Sequence, residues 1–449
     1  MELLQTVFGF LLALFILVSV HEFGHFYVAR LCGVKVLRFC IGMGKPFCSF
    51  KDKHGTDFGI APFPLGGYVK MLDEREVDVA PEERHLTYNS KSVWQRIAIL
   101  AAGPVANFLL AIVIFWGVFF SNGTTGIAPN IGVVHSGSVA DQAGLKAGQE
   151  ILQVDGVDTA TRQAVMEQLF LRLGESGVVT LTVAEMGRDE QQQLNLNLNN
   201  WLDGVKDPDP MEGLGVEFYR PEIVFGEVSA DSPAEKAGLQ ADDQLVSVDG
   251  KKFTDLESWI NYVQAHGGGE LAFIVLREKN EKALTVNPKI TEVDGKQVGQ
   301  IGVRVGYAPL PAELLRKREF NMLQAFSQGV VKTLSTTEFV LISMQKLIVG
   351  EISTKNLSGP IGIAKVAGDH ARAGVVYFIE FLAVLSIYLG VLNLLPIPIL
   401  DGGHILYCLI EAVKGSPVSE RIQMMGFSAG LALLAGVMVV AFYNDLLRL

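Results

Sequence analysis

Cysteine is scarce in this chain: four residues in 449, at positions 32, 40, 48 and 408, with none between 121 and 320. That excludes a disulfide framework, and the spacing of eight among the first three matches no zinc-finger pattern. Charge is also thin, at 19% Asp, Glu, Lys and Arg, with a formal net charge of −11. The chain therefore lacks the basic excess that a nucleic-acid partner requires, and none is expected. No basic residue precedes the first apolar run, only Met1 and Glu2, so that run is read as retained rather than as a cleaved leader.

Apolar sequence is abundant instead, at 49% of residues. Four runs, at 3–29, 97–120, 375–395 and 424–443, each approach the roughly 20 residues that cross about 30 Å of hydrocarbon. The expected fold is a polytopic α-helical membrane protein with four transmembrane helices, embedded in a lipid bilayer. Arg30, Lys35, Arg38, Lys45, Lys51 and Lys53 follow the first run, and Lys414 and Arg421 separate the last two. This bias assigns both loops to the cytoplasmic side. Segment 121–320 then lies outside; it carries 18 basic against 30 acidic residues, a difference of −12.

That outer segment contains an ungapped repeat at an offset of 94: Ser138 answers Ser232, Ala143-Gly144-Leu145 answers Ala237-Gly238-Leu239, and Asp155-Gly156 answers Asp249-Gly250. Each unit reads as a strand, a short glycine-terminated helix, a second strand and an Asp-Gly turn. The units resemble tandem circularly permuted PDZ domains (α+β), over about 125–220 and 221–307. Neither shows a clear carboxylate-binding loop, so a steric or gating role is set beside peptide capture. After them, apolar residues recur at three- and four-residue steps over 320–348, predicting an amphipathic helix on the outer membrane face.

The chemistry-bearing residues lie at the end of the first apolar run, in His21-Glu22-Phe23-Gly24-His25. An ionisable group near a bilayer centre costs roughly 2.5–3.5 kcal/mol on insertion scales, so three within five residues demand compensation, which a bound metal supplies. His21 and His25 stand one helical turn apart on one face, suited to two corners of a tetrahedral zinc site. Glu22 projects differently and is placed to accept a proton from a metal-bound water. The candidate third ligand is Asp401, in Asn393-Leu-Leu-Pro-Ile-Pro-Ile-Leu-Asp401-Gly-Gly-His404, where two prolines must break the third span. Irregular backbone at membrane depth is tolerated only where buried in protein or lining a cavity.

Together, His-Glu-x-x-His in the first span, Asn-x-x-Pro-x-Pro-x-x-Asp-Gly after the third, and the repeats between them resemble the site-2 protease family of intramembrane zinc metalloproteases. The resemblance runs over essentially the whole chain. It implies one Zn2+ held by His21, His25 and Asp401, with Glu22 as general base and Asn393 beside the scissile peptide; His404 is read as structural or interfacial. It implies as substrates pre-trimmed single-pass membrane proteins of the anti-sigma-factor type, and remnant signal peptides, with the outer repeats excluding bulky ectodomains. Residues 47–71 resemble the family's membrane-associated β-loop, a hairpin or small sheet offering an edge to an unwound substrate, with a solvated cytoplasmic hairpin as the alternative. Gly103-Pro104-Val105-Ala106-Asn107 resembles its second-helix motif, a kink permitting close packing beside the site, with a plain proline kink as the alternative.

The expected division is a first span at 1–30, a cytoplasmic segment at 31–95, a second span at 96–120, and repeat units at 121–220 and 221–307. An interfacial helical segment at 308–374, a third span with the Asp401 loop at 375–404, and a loop and fourth span at 405–449 complete it. The rival function is a membrane-anchored PDZ adaptor whose metal is structural. Glu22 speaks against it, because an inert site needs no acid beside its first ligand.

Overall fold

The computed structural model describes residues 2–75, 77–188, 190–293 and 296–448. Helix α1 (Glu2–Leu31) runs 30 residues without a breaker and ends where Gly33 takes a left-handed φ of +70°. The chain then enters a four-stranded sheet of β1 (Val36–Met43), β2 (Cys48–Lys51), β3 (Asp57–Ile60) and β4 (Phe63–Met71), in the order β2-β3-β1-β4. β1 pairs parallel with β3 and antiparallel with β4, with Ile41 opposite Gly67. Phe39 and Phe58 pack edge-on against Phe26 of α1, with ring centroids 5.5 and 5.4 Å away. The expected hairpin of 47–71 is thus the larger part of a sheet that begins at Val36. β4 is an outer strand, laid alongside the end of α1 that carries the histidines.

Helix α2 (Val93–Asn122) starts at a capping box between Ser92 and Gln95 and runs 30 residues through Pro104. The two repeats follow the expected order. Strand Ile131–Val134, helix Val139–Gln142 and strand Gln149–Val154 in the first match Ile223–Val228, Pro233–Lys236 and Gln244–Val248 in the second. Ser138 and Ser232 cap the short helices, each hydroxyl accepting an N–H at 3.1 Å. Asp155-Gly156 and Asp249-Gly250 all have positive φ, as a tight turn between strands requires. Each repeat closes its own core, around Leu169, Leu181 and Leu196 in the first and Phe225, Trp259 and Phe273 in the second.

Strand Leu315–Arg318 pairs with Thr124–Ile127 and returns the chain to the helices. Helix α3 (Met322–Val349) spans nearly the segment expected to be amphipathic; it packs along α2 and leaves Leu323, Phe326, Leu334 and Ile348 exposed. It also holds the first repeat. The buried Lys346 ammonium donates to the Leu173 carbonyl at 2.8 Å and to Glu175 and Glu351 at 2.8 and 2.9 Å, and Lys332 pairs with Glu167 at 3.1 Å.

Four helices complete the chain: α4 (Pro360–Ala373), α5 (Val375–Leu394), α6 (Asp401–Lys414) and α7 (Glu420–Leu447). The loop expected after residue 404 is therefore largely helical. Helices α1, α2, α5 and α7 are long and apolar enough to cross a membrane. α4 begins at Gly359, which has no side chain to cap it. The buried Asp445 carboxylate near the end of α7 takes over, accepting the N–H groups of Gly359, Ile361 and Gly362 at 2.9, 2.9 and 3.0 Å. Asn444 beside it donates to the carbonyls of Thr354 and Leu357.

Candidate metal centre

The helix period brings His21 and His25 to one face of α1, where both are 8% exposed. Their Nε2 atoms are 3.2 Å apart. His25 Nδ1 lies 2.8 Å from the Ile99 carbonyl of α2. A carbonyl only accepts, so Nδ1 carries the proton and Nε2 presents a lone pair.

The third corner arrives from the far end of the sequence. Pro396 and Pro398 cannot continue α5, which stops at Leu394; the chain turns, with Leu400 N–H donating to Ile397 O at 2.8 Å, and restarts as α6 at Asp401. Asp401 Oδ2 then lies 3.3 Å from both His21 Nε2 and His25 Nε2, and is buried with no hydrogen-bond donor of its own among the described residues. Zinc bonds of about 2.0–2.1 Å at tetrahedral angles set donor atoms about 3.3–3.4 Å apart. Separations of 3.2, 3.3 and 3.3 Å match that edge length. With two imidazoles, one carboxylate and an orphaned carboxylate oxygen, the donor set fits zinc and leaves a fourth position open.

α2 can approach this closely because residue 103 is glycine. A Cβ there would sit 2.8 Å from His21 Cε1 and 2.7 Å from His25 Cε1, and would collide with His25 Nε2. On the other side β4 passes Glu22 at Gly67, where a Cβ would lie 2.7 Å from Glu22 Cγ. Glu22 is thus held between the sheet and the cluster, within electrostatic range of His21, His25 and Asp401.

Of the residues singled out from the sequence, the fold gathers His21, His25 and Asp401 as donors, with Glu22 at their side. Asn393 sits in the last turn of α5, half-buried, and its side chain makes no hydrogen bond among the described residues. His404 stands one turn along α6, exposed and edge-on to Tyr407 with centroids 6.2 Å apart, outside the donor cluster. Asn107, in the stretch expected to pack closely beside the site, reaches the cluster itself: its Nδ2 position is 3.2 Å from His21 Nδ1. The available signal was an amide in the middle of an apolar helix, four residues beyond Gly103.

A family model described as peptidase family M50 matches residues 9–437. The regulator of sigma-E protease RseP of Escherichia coli (strain K12) is 43% identical over 451 residues, covering 100% of both chains. The same values hold for the protein of that name from Salmonella typhimurium (strain 14028s). Protease RseP of Yersinia pestis is 42% identical over 452 residues, again with full coverage of both. Among solved structures, the PDZ domain of an SdrC-like protein from Listeria monocytogenes covers 20% of this chain at 19% identity, with a TM-score of 0.18. The repeats are accordingly described by their own strands and caps.

Proposed function

This chain belongs to peptidase family M50, and from that premise we propose that His21, His25 and Asp401 hold its zinc while Glu22 moves the proton in peptide hydrolysis. The protein is an intramembrane zinc metalloprotease. The observation that carries the assignment of residues is the cluster of three donors, spaced as a tetrahedral face, with a carboxylate adjacent in sequence to the first.

A transmembrane helix keeps its peptide groups inside its own hydrogen-bond ladder, so the substrate must unwind before any bond can be cut. The outer edge of β4, running past Glu22 at Gly67, offers backbone groups to an extended strand at the right place. Zinc, when bound, polarises the scissile carbonyl and stabilises charge developing on its oxygen. Glu22 accepts the proton of the attacking water and returns it to the leaving nitrogen. Asn393, on the turn before the Asp401 loop, donates to the substrate backbone or to the developing oxyanion. His25 keeps its bare Nε2 toward the other donors because Ile99 O of α2 accepts its Nδ1–H from behind.

The cluster lies toward the cytoplasmic face and the repeats lie outside, a reading supported by the Lys and Arg content of the flanking loops. The repeats are PDZ-like units of the permuted kind, supported by the shared order of strand, short helix, strand and Asp-Gly turn. The substrates are membrane proteins; we assign them to the pre-trimmed single-pass class, including anti-sigma factors and remnant signal peptides, on the strength of the sigma-E relatives.

Glu22→Gln tests the reading. The variant should keep stoichiometric zinc while cleavage of a model transmembrane substrate falls by about 10²–10⁴-fold, the usual range for loss of a general base. Undiminished cleavage would refute the role of Glu22, and loss of zinc would make it a ligand instead.

A further inference from the structure

We propose that Asn107 is a positioning residue: its amide oxygen accepts the Nδ1–H of His21 and so sets that ring with Nε2 bare toward the metal, an inference that rests on the zinc reading above. Asn107 is fully buried in α2, and its amide lies 3.2 Å from His21 Nδ1. With the amide nitrogen against the ring, Oδ1 is buried with no donor among the described residues. It would also force the His21 proton onto Nε2, aimed at His25 and Asp401, where no metal could then bind.

The two ends of an amide are told apart by their partners. Turning the group by half a revolution gives Oδ1 the Nδ1–H and removes both conflicts. His25 already has this arrangement, with Ile99 O as its acceptor. Ile99, Gly103 and Asn107 are spaced four and four along α2, so one helix face presents an acceptor, a gap for the two rings, and a second acceptor. The Asn107 segment is tied from a third helix, since Ser386 Oγ of α5 donates to the Asn107 carbonyl at 2.8 Å. Acceptors behind metal-bound imidazoles select the tautomer and fix the ring.

The test uses the full chain purified in detergent, with zinc affinity read by chelator competition. Asn107→Leu removes the acceptor at similar volume and should weaken zinc 10–100-fold, the range typical of losing such a partner. Asn107→Asp keeps an oxygen in place and should restore tight binding. Equal affinity in the Leu variant and the wild type overturns the proposal, whereas a wild type without stoichiometric zinc overturns the metal assignment itself. Should the Leu variant fail to fold, the wild type decides. In metal-stripped protein labelled with 15N-histidine, His21, assigned by its absence from His21→Asn, should carry its proton on Nδ1; a proton on Nε2 overturns the proposal.

Discussion

Replacing Gly103 by alanine should weaken the metal site without substituting any ligand. The added methyl would lie 2.7 Å from His25 Cε1 and 2.8 Å from His21 Cε1, and nearer still to His25 Nε2. Carbon contacts relax at about 3.5–4.0 Å, so the rings or the helix must yield by roughly 1 Å. His25 cannot swing freely, because its Nδ1 is held 2.8 Å from Ile99 O on the same helix. Overpacking of this kind costs about 1–3 kcal/mol. Donor distances in a functional metal site are good to about 0.2 Å, so a displacement on the order of 1 Å should weaken zinc at least about 100-fold, or about 2.8 kcal/mol. Zinc content after dialysis against a graded series of chelators measures it, with cleavage of a model substrate falling in parallel. Gly117→Ala on the same helix is the control: nothing lies within 4 Å of its added Cβ, and its zinc content should be unchanged. Wild-type zinc affinity in Gly103→Ala would show that the close packing of α2 on the rings is not what holds the donors.

The other expectations concern the outer parts. Asp445→Ala leaves three N–H groups at the start of α4 without this acceptor, that of Gly359 buried and those of Ile361 and Gly362 partly so, a local loss of about 1–2 kcal/mol. Amide exchange across 359–373 should quicken accordingly, and unchanged protection would show the cap to be dispensable. Removal of residues 125–307 should admit substrates that still carry a folded outer domain. Continued rejection of untrimmed substrates, with trimmed ones still cut, would end the idea of a filter in the repeats.

The histidine pair and its glutamate were legible in the sequence because apolar spans rarely carry ionisable groups, and Asp401 because two prolines force irregular backbone just past the end of one. The motif of Gly103 and Asn107 was legible as a close-packing element, but the contact of Asn107 with His21 was not, since a buried amide is inexpensive enough to pass as a kink partner and its distance from His21 in the chain hides the contact. β1 escaped notice because Val36–Met43 follows α1 with only Gly33 as punctuation. The repeats show a subtler limit. The offset of 94 holds from Ser138 to Gly156, yet Gly215 of the first repeat corresponds to Gly302 of the second, an offset of 87. Both have φ of +74°, and a Cβ on either would run into the capping serine, Ser138 or Ser232. The intervening strands and loops differ in length, so an ungapped comparison loses the second half of the unit although the fold restores the contact. Gly213-Leu214-Gly215-Val216 and Gln300-Ile301-Gly302-Val303 thus each lead into a strand, Val216–Phe218 and Val303–Tyr307.

The position of β4 carries a consequence for selectivity. A strand that meets its guest along the main chain reads peptide groups, which every sequence has, and reads side chains only where pockets flank the edge. Beside a membrane-spanning helix, bare peptide groups find no water to pair with, so a guest strand gains by satisfying them whatever residues it carries. Such an enzyme would be permissive about sequence and strict about conformation: ease of unwinding at the depth of Glu22 would decide what is cut. Helix-weakening residues in a substrate span, more than any consensus around the scissile bond, would then mark the proteins that this chain destroys.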